Sequence, residues 1–157
     1  MIGQMLLSKK IEYGCIWNTR WYPNRSTNEY ENKRTNVLDN HNQLTPVTLP
    51  FVLWKRFLQD EMVAISNGNN AAIVSYATYN QIDSKLNIFL INKEIVPQTI
   101  SIDFKDTIFP TKAEVWQYRG VDENDESPTL GKIEVISVQN TGIKYTLPST
   151  SITVFSL

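Results

Sequence analysis

The chain has 157 residues, enough for one ordinary domain or for one small domain with a further piece attached. Its 15 basic and 16 acidic residues leave a formal net charge of −1, so the composition carries no electrostatic footprint for nucleic acid or an anionic membrane surface. No apolar stretch approaches the ~20 residues of a membrane span, and a lone cysteine excludes an internal disulfide.

Residues 2–9 read as the tail of a helix, with Ile2, Met5 and Leu6 at helical spacing and Lys9 and Lys10 well placed against the negative end of its dipole. No N-cap precedes it, as expected of a chain cut from a longer one; a natural short N-terminal helix is the alternative. Ile11 to Trp17 then reads as a buried strand, with Cys15 acting as a small core hydrophobe. The pentapeptide Trp17-Asn18-Thr19-Arg20-Trp21 follows. Two indoles flanking an amide, a hydroxyl and a guanidinium suit a sugar, whose ring offers an apolar C–H face for stacking and a rim of hydroxyls for hydrogen bonds. Trp17, Asn18, Arg20 and Trp21 are therefore the candidate substrate-binding residues. The plainer reading stays open beside this one, with Trp17 closing a strand in the core and Arg20 forming a surface ion pair.

From Tyr22 to Gln43 the chain is polar and long for a plain connection, a length often associated with function or disorder. His41, the only histidine, has no second imidazole with which to bind zinc and reads as a surface residue. No metal or other cofactor is expected. Thr45-Pro46 supplies a helix start and Pro50 a second one, and Val47, Phe51, Trp54 and Leu58 recur on one helical face that reads as core packing.

After Asp60 the pattern becomes that of an all-β domain. The predicted strands are Met62–Ser66, Ala71–Tyr79, Lys85–Ile91, Gln98–Phe104, Ala113–Arg119, Lys132–Val138, Gly142–Leu147 and Ile152–Leu157. Ile100, Ile102 and Phe104 alternate with polar residues, which gives that strand one wet side. Turns are expected at Asn67-Gly68-Asn69-Asn70, Gln81-Ile82-Asp83-Ser84 and Asn140-Thr141-Gly142. About eight such strands imply an antiparallel β-sandwich, a mainly β fold class. The acidic run Asp122 to Glu126 matches no EF-hand spacing and reads as a solvated loop.

Taken together, these parts resemble the last strand and helix of a (β/α)8 glycoside hydrolase followed by its small C-terminal β-sandwich. One anchor of the resemblance is the aromatic pentapeptide after Tyr13–Ile16. The other is the ending Leu147-Pro148-Ser149-Thr150-Ser151-Ile152-Thr153-Val154-Phe155, which is similar to a Leu-Pro-Pro-x-Ser-(Ile/Val)-Thr-Val pattern with Ser149 in place of the second proline. Asn36 through Pro46 resembles the approach to the eighth barrel helix, and Phe51 to Phe57 resembles that helix. Within the superfamily the sequence looks most like β-agarases and porphyranases, then α-L-arabinofuranosidases and glucosylceramidase-like enzymes.

The resemblance implies a division into residues 1–60, the end of an incomplete barrel, and 61–157, an accessory sandwich. It also implies Trp17 as a sugar platform at the C-terminal end of the eighth strand, with Asn18, Arg20 and Trp21 as neighbours. The two carboxylates of a retaining enzyme, about 5–5.5 Å apart, would come from strands four and seven, upstream of residue 1. Glu12 stands at the wrong end of its strand, and spacing identifies no second catalytic carboxylate to go with Glu29, Glu31 or Asp39, so no catalytic residue is named. The implied partners are an oligo- or polysaccharide and the missing barrel portion of a secreted or periplasmic parent enzyme. The alternatives are a stand-alone carbohydrate-binding module using Trp17, Trp21, Trp116 and Tyr118, and a purely structural sandwich. A barrel fragment is expected to expose Trp54 and Phe57, or to recruit another copy of the chain to cover them.

Overall fold

The computed structural model describes residues 2–8, 10–11, 14–15, 36–39, 41–68, 70–105, 111–122, 125–139 and 142–157. Turn chemistry breaks the second half into eight strands: β1 (Glu61–Val63), β2 (Ile73–Asn80), β3 (Lys85–Asn92), β4 (Gln98–Ile102), β5 (Lys112–Arg119), β6 (Thr129–Ser137), β7 (Ile143–Leu147) and β8 (Ser151–Ser156). The β2–β3 hairpin shows how one turn is made. The Asn80 side-chain oxygen accepts the backbone N–H groups of Ile82 and Asp83 at 2.8 and 3.0 Å, and Ser84 closes the turn at φ 51°.

All ladders are antiparallel. One sheet has the order β1-β2-β3-β8-β5-β6, and β4 pairs with β7 in a second. The last strand of the chain is thus central, laddered to β3 on one side and β5 on the other. Between the sheets lies one core, with Ile88, Val115, Leu147 and Phe155 at 2% exposure or less. Gly142 opens β7 at φ +126°, where an added Cβ would fall 1.8 Å from the Ile102 carbonyl oxygen, so only glycine fits this approach of β7 to β4. Asn92 ties the far ends of the sandwich together: its amide donates to the carbonyls of Pro148 at 2.7 Å and Val96 at 3.0 Å. The terminal Leu-Pro-x-x-Ser segment is therefore anchored through the Pro148 carbonyl, which Ser151 Oγ also reaches at 2.8 Å.

The outer face of the large sheet is covered as well. Helix α1 spans Ile2–Leu7, and a 3-10 turn, Pro46–Thr48, leads into α2, Leu49–Phe57. Leu53, Trp54 and Phe57 from α2 pack on Tyr76, Phe89 and Val154 from the sheet. The Trp54 ring stacks on Phe89 with centroids 4.0 Å apart and planes 8° from parallel, and it meets the edge of Tyr76 at 5.6 Å. The open carbonyl of Phe57 at the helix end accepts Thr78 Oγ1 at 3.0 Å and Asn87 Nδ2 at 2.7 Å, so two buried sheet side chains cap α2.

Three expectations are corrected. Trp54 and Phe57 are buried, at 5% and 4% exposure, because the sheet covers them without a barrel or a second copy. The buried helical face is Leu53, Trp54 and Phe57, whereas Val47 and Leu58 are each 39% exposed. Val47 belongs to the 3-10 turn, whose three-residue period puts it out of phase, and Leu58 is already extended at ψ 130°. Cys15 is exposed, since neither Gly14 nor Cys15 lies in a strand beneath a sheet.

Candidate functional site

Trp17, Asn18, Arg20 and Trp21 lie outside the described residues, as do Glu12, Glu29 and Glu31. The residues that flank this segment are seated on the helix-bearing side of the large sheet. On the N-terminal side, Ile2 packs on the outer-face cluster, and α1 sits so close that a Cβ on Gly3 would lie 2.4 Å from the Tyr76 ring. On the C-terminal side, Asn36 is buried and its carbonyl accepts Thr45 Oγ1. Thr48 Oγ1 donates to the Val37 carbonyl at 2.9 Å. Tyr118 Oη donates to the Pro46 carbonyl at 3.1 Å, fixing this approach to β5. Thr45, the expected helix cap, makes no capping bond, because its hydroxyl is used on Asn36 instead. Asp39 Oδ1 accepts the N–H groups of His41 and Gln43, both at 2.8 Å, and His41 is exposed.

The second aromatic set is packed. Arg56 lays its guanidinium over Trp116, with Cζ 3.9 Å from the ring centroid, and Phe57 meets the same indole at 5.4 Å. Trp116 Nε1 donates to Glu114 Oε2 at 3.1 Å, and Lys132 pairs with the other oxygen of Glu114 at 2.6 Å. Trp116 therefore has one face taken by Arg56, and Tyr118 spends its hydroxyl on Pro46. Both share one face of β5, as the alternation requires, but that face supports α2.

No protein-family model and no curated protein matches the chain. Solved structures do. The chain is similar over 78% of its length to a family 30 endoxylanase from Clostridium papyrosolvens C71, with TM-score 0.63 and 16% identity, covering 30% of that chain. It is similar over 74% of its length to a family 44 xyloglucanase from Paenibacillus polymyxa, with TM-score 0.62 and 14% identity, covering 24% of that chain. Similarity to CelM2, a bifunctional glucanase-xylanase from a metagenome library, extends over 63% of the chain at TM-score 0.54 and 21% identity, covering 18% of that chain. The fold is that of glycoside hydrolase C-terminal regions. The chain spans less than a third of the length of these enzymes.

Two carboxyl groups are held by specific partners. Lys132 and Trp116 hold the Glu114 carboxyl below its ordinary range, and the backbone N–H groups of Val121 and Ser127 do the same for Asp125. Among the described residues no three His, Cys, Asp or Glu side chains are grouped to hold a metal, and no helix is long and apolar enough to cross a membrane.

A polar chain that runs from the buried Gln117 out to the exposed Glu134 is less visible in sequence. Gln117 Nε2 donates to Tyr145 Oη at 3.3 Å and to Thr153 Oγ1 at 3.4 Å, and Tyr145 Oη donates to Glu134 Oε1 at 3.0 Å. The one signal was the inward parity that Gln117 shares with Val115. Burial first, then Glu134, pushes the Tyr145 hydroxyl up to about 12. An unfolded tyrosine titrates near pH 10, so the folded state holds this proton more tightly. The stabilisation is complete below about pH 10 and is lost as pH rises towards 12. NMR titration of the tyrosine ring carbons should show Tyr145 ionising last or with unfolding, and Tyr145→Phe should flatten the alkaline loss of stability.

Proposed function

We propose that the chain is the C-terminal part of a retaining, polysaccharide-degrading glycoside hydrolase. Residues 1–60 would complete a barrel and contribute a sugar subsite, and 61–157 would form the accessory sandwich. The observation that carries the reading is the set of apolar side chains left exposed in and around the helical segments. Leu6, Leu7, Ile11, Leu44, Val47 and Leu58 are all at least 39% exposed, although α2 itself is well packed. In the sequence these residues stand on both sides of the segment carrying Trp17 and Trp21, as a junction with further barrel elements would. The fold likeness to enzymes named as xylanases and a xyloglucanase supports the same reading and makes xylan and β-glucans the first substrates to test, ahead of agar-type polymers. In this reading the chain alone would not hydrolyse them, because the two carboxylates of a retaining enzyme would come from earlier barrel strands.

Sequencing upstream of the Met1 codon should find an in-frame extension on the order of 200 codons, the remainder of a barrel, encoding two glutamates at strand ends. In the enzyme so completed, Trp17→Ala should lower kcat/KM on the polysaccharide about tenfold, equivalent to about 1.4 kcal/mol, with Tm unchanged. An in-frame stop immediately upstream, with saturable glycan binding by the chain itself, would favour the binding-module alternative.

A further inference from the structure

Asn67 and Gly68 form the sole Asn-Gly pair in the sequence. Asn67 is exposed in the loop that joins β1 to β2, and Gly68 holds φ +58°, where an added Cβ would meet nothing within 4 Å. A backbone nitrogen is shielded by the side chain of its own residue, and glycine has none. The groups around this pair are chemically specific. Ser75 Oγ on β2 donates to the Asn67 side-chain oxygen, and the Gly68 N–H donates to Ser66 Oγ at 3.4 Å. Asn67 Nδ2 donates to the Ile73 carbonyl at 2.9 Å, which ties the loop to β2. A donor thus sits on the amide oxygen, where negative charge develops when a nucleophile adds, and an acceptor sits on the neighbouring N–H, whose nitrogen can be that nucleophile.

We infer that Asn67 is a self-modification site, at which the Gly68 nitrogen attacks Asn67 Cγ and the side-chain amide becomes an acid. The new bond joins Gly68 N to Asn67 Cγ, and the bond from Cγ to Nδ2 breaks. The proton lost from Gly68 N leaves with the side-chain nitrogen as ammonia. Water then opens the cyclic imide at either of its carbonyls, giving aspartate or isoaspartate. The product carries a carboxylate oxygen where Nδ2 had donated to the Ile73 carbonyl, so the tie between the loop and β2 is lost and the chain gains one negative charge. This chemistry needs no substrate and is independent of the proposed glycosidase reading.

The test is incubation of the purified whole chain at neutral pH, followed by peptide mapping that separates asparagine, aspartate and isoaspartate at position 67. Conversion in the native chain should be at least as fast as in the chain unfolded in urea, because only the fold supplies the Ser75 donor. Ser75→Ala should slow native conversion about tenfold, a smaller loss than at a water-excluded oxyanion hole because this site is open to solvent. Ser75→Thr, which keeps the hydroxyl, should restore the parent rate. Asn67→Asp, which stands for the product, should accelerate amide exchange in β1 while β3 and β8 keep their protection. Native conversion slower than in urea, or a parent-like rate in Ser75→Ala, overturns the inference; unchanged exchange in β1 of Asn67→Asp overturns the loss of the tie. The comparison of native with unfolded parent chain uses no variant and decides the matter where Ser75→Ala fails to fold.

Discussion

Trp54→Ala should cost about 3–5 kcal/mol, the range for deleting a buried aromatic from a packed site. At the usual 2–4 °C per kcal/mol for a chain of this size, that corresponds to a fall in Tm of about 10 °C. The indole lies flat on Phe89 and against the edge of Tyr76, and both rings belong to the outer face of the large sheet. A helix of nine residues cannot sustain itself in water. Its attachment is this stack, the Leu53 and Phe57 contacts, and the two hydrogen bonds on the Phe57 carbonyl. Hydrogen exchange should therefore show α2 losing protection while β3 and β8 keep theirs. A variant whose helix amides exchange no faster than those of the parent chain would show that the stack does not hold α2.

Phe155→Ala should be of similar size, about 3–5 kcal/mol, but global in its effect. Phe155 is fully buried between the sheets, edge-on to Tyr145 at 5.2 Å and 83°. Its strand is laddered on both sides, to β3 and to β5. No smaller unit can open around it, so exchange should accelerate in both sheets together. Trp54 and Phe155 lie on opposite faces of one sheet and share no partner, so the two losses should add. Their sum approaches the whole stability of an ordinary domain, and the double variant should be unfolded at room temperature. A double variant that keeps a cooperative transition would mean that the two cores are coupled and partly redundant.

The particular residues show how much of this was legible in the chain. Strand β4 advertised its one-sided burial by strict alternation at Ile100 and Ile102. Strand β3, with Leu86, Ile88, Phe89 and Leu90 almost contiguous, carried the mark of a strand buried on both faces. The hairpin turn at residues 81–84 followed from its Asp and Ser content, while Asn69 of the expected turn at 67–70 and Asn140 and Thr141 of the third lie outside the described residues. The helix phase was misread because a 3-10 turn precedes α2, and hydrophobic spacing cannot reveal where one helical period gives way to another. Trp54 was legible as a core residue from its helical face, but what covers it was not, because Tyr76 and Phe89 are well separated from it in the chain. Of the candidate site, the residue types were visible, and the seating of its flanks on Tyr76, Asn36 and Pro46 was not.

The sequence by itself determined that the second half is a run of about eight antiparallel strands, and it determined the inward face of β4, because alternation and turn chemistry are properties of neighbouring residues. Only the tertiary structure decided that the last strand lies at the centre, that Thr78 and Asn87 cap a helix more than twenty residues before them, and that β4 pairs with β7 in a sheet of its own. Those features depend on which strands pair across the chain. Pairing is set by the joint packing of both faces of the large sheet, which no local stretch of residues encodes.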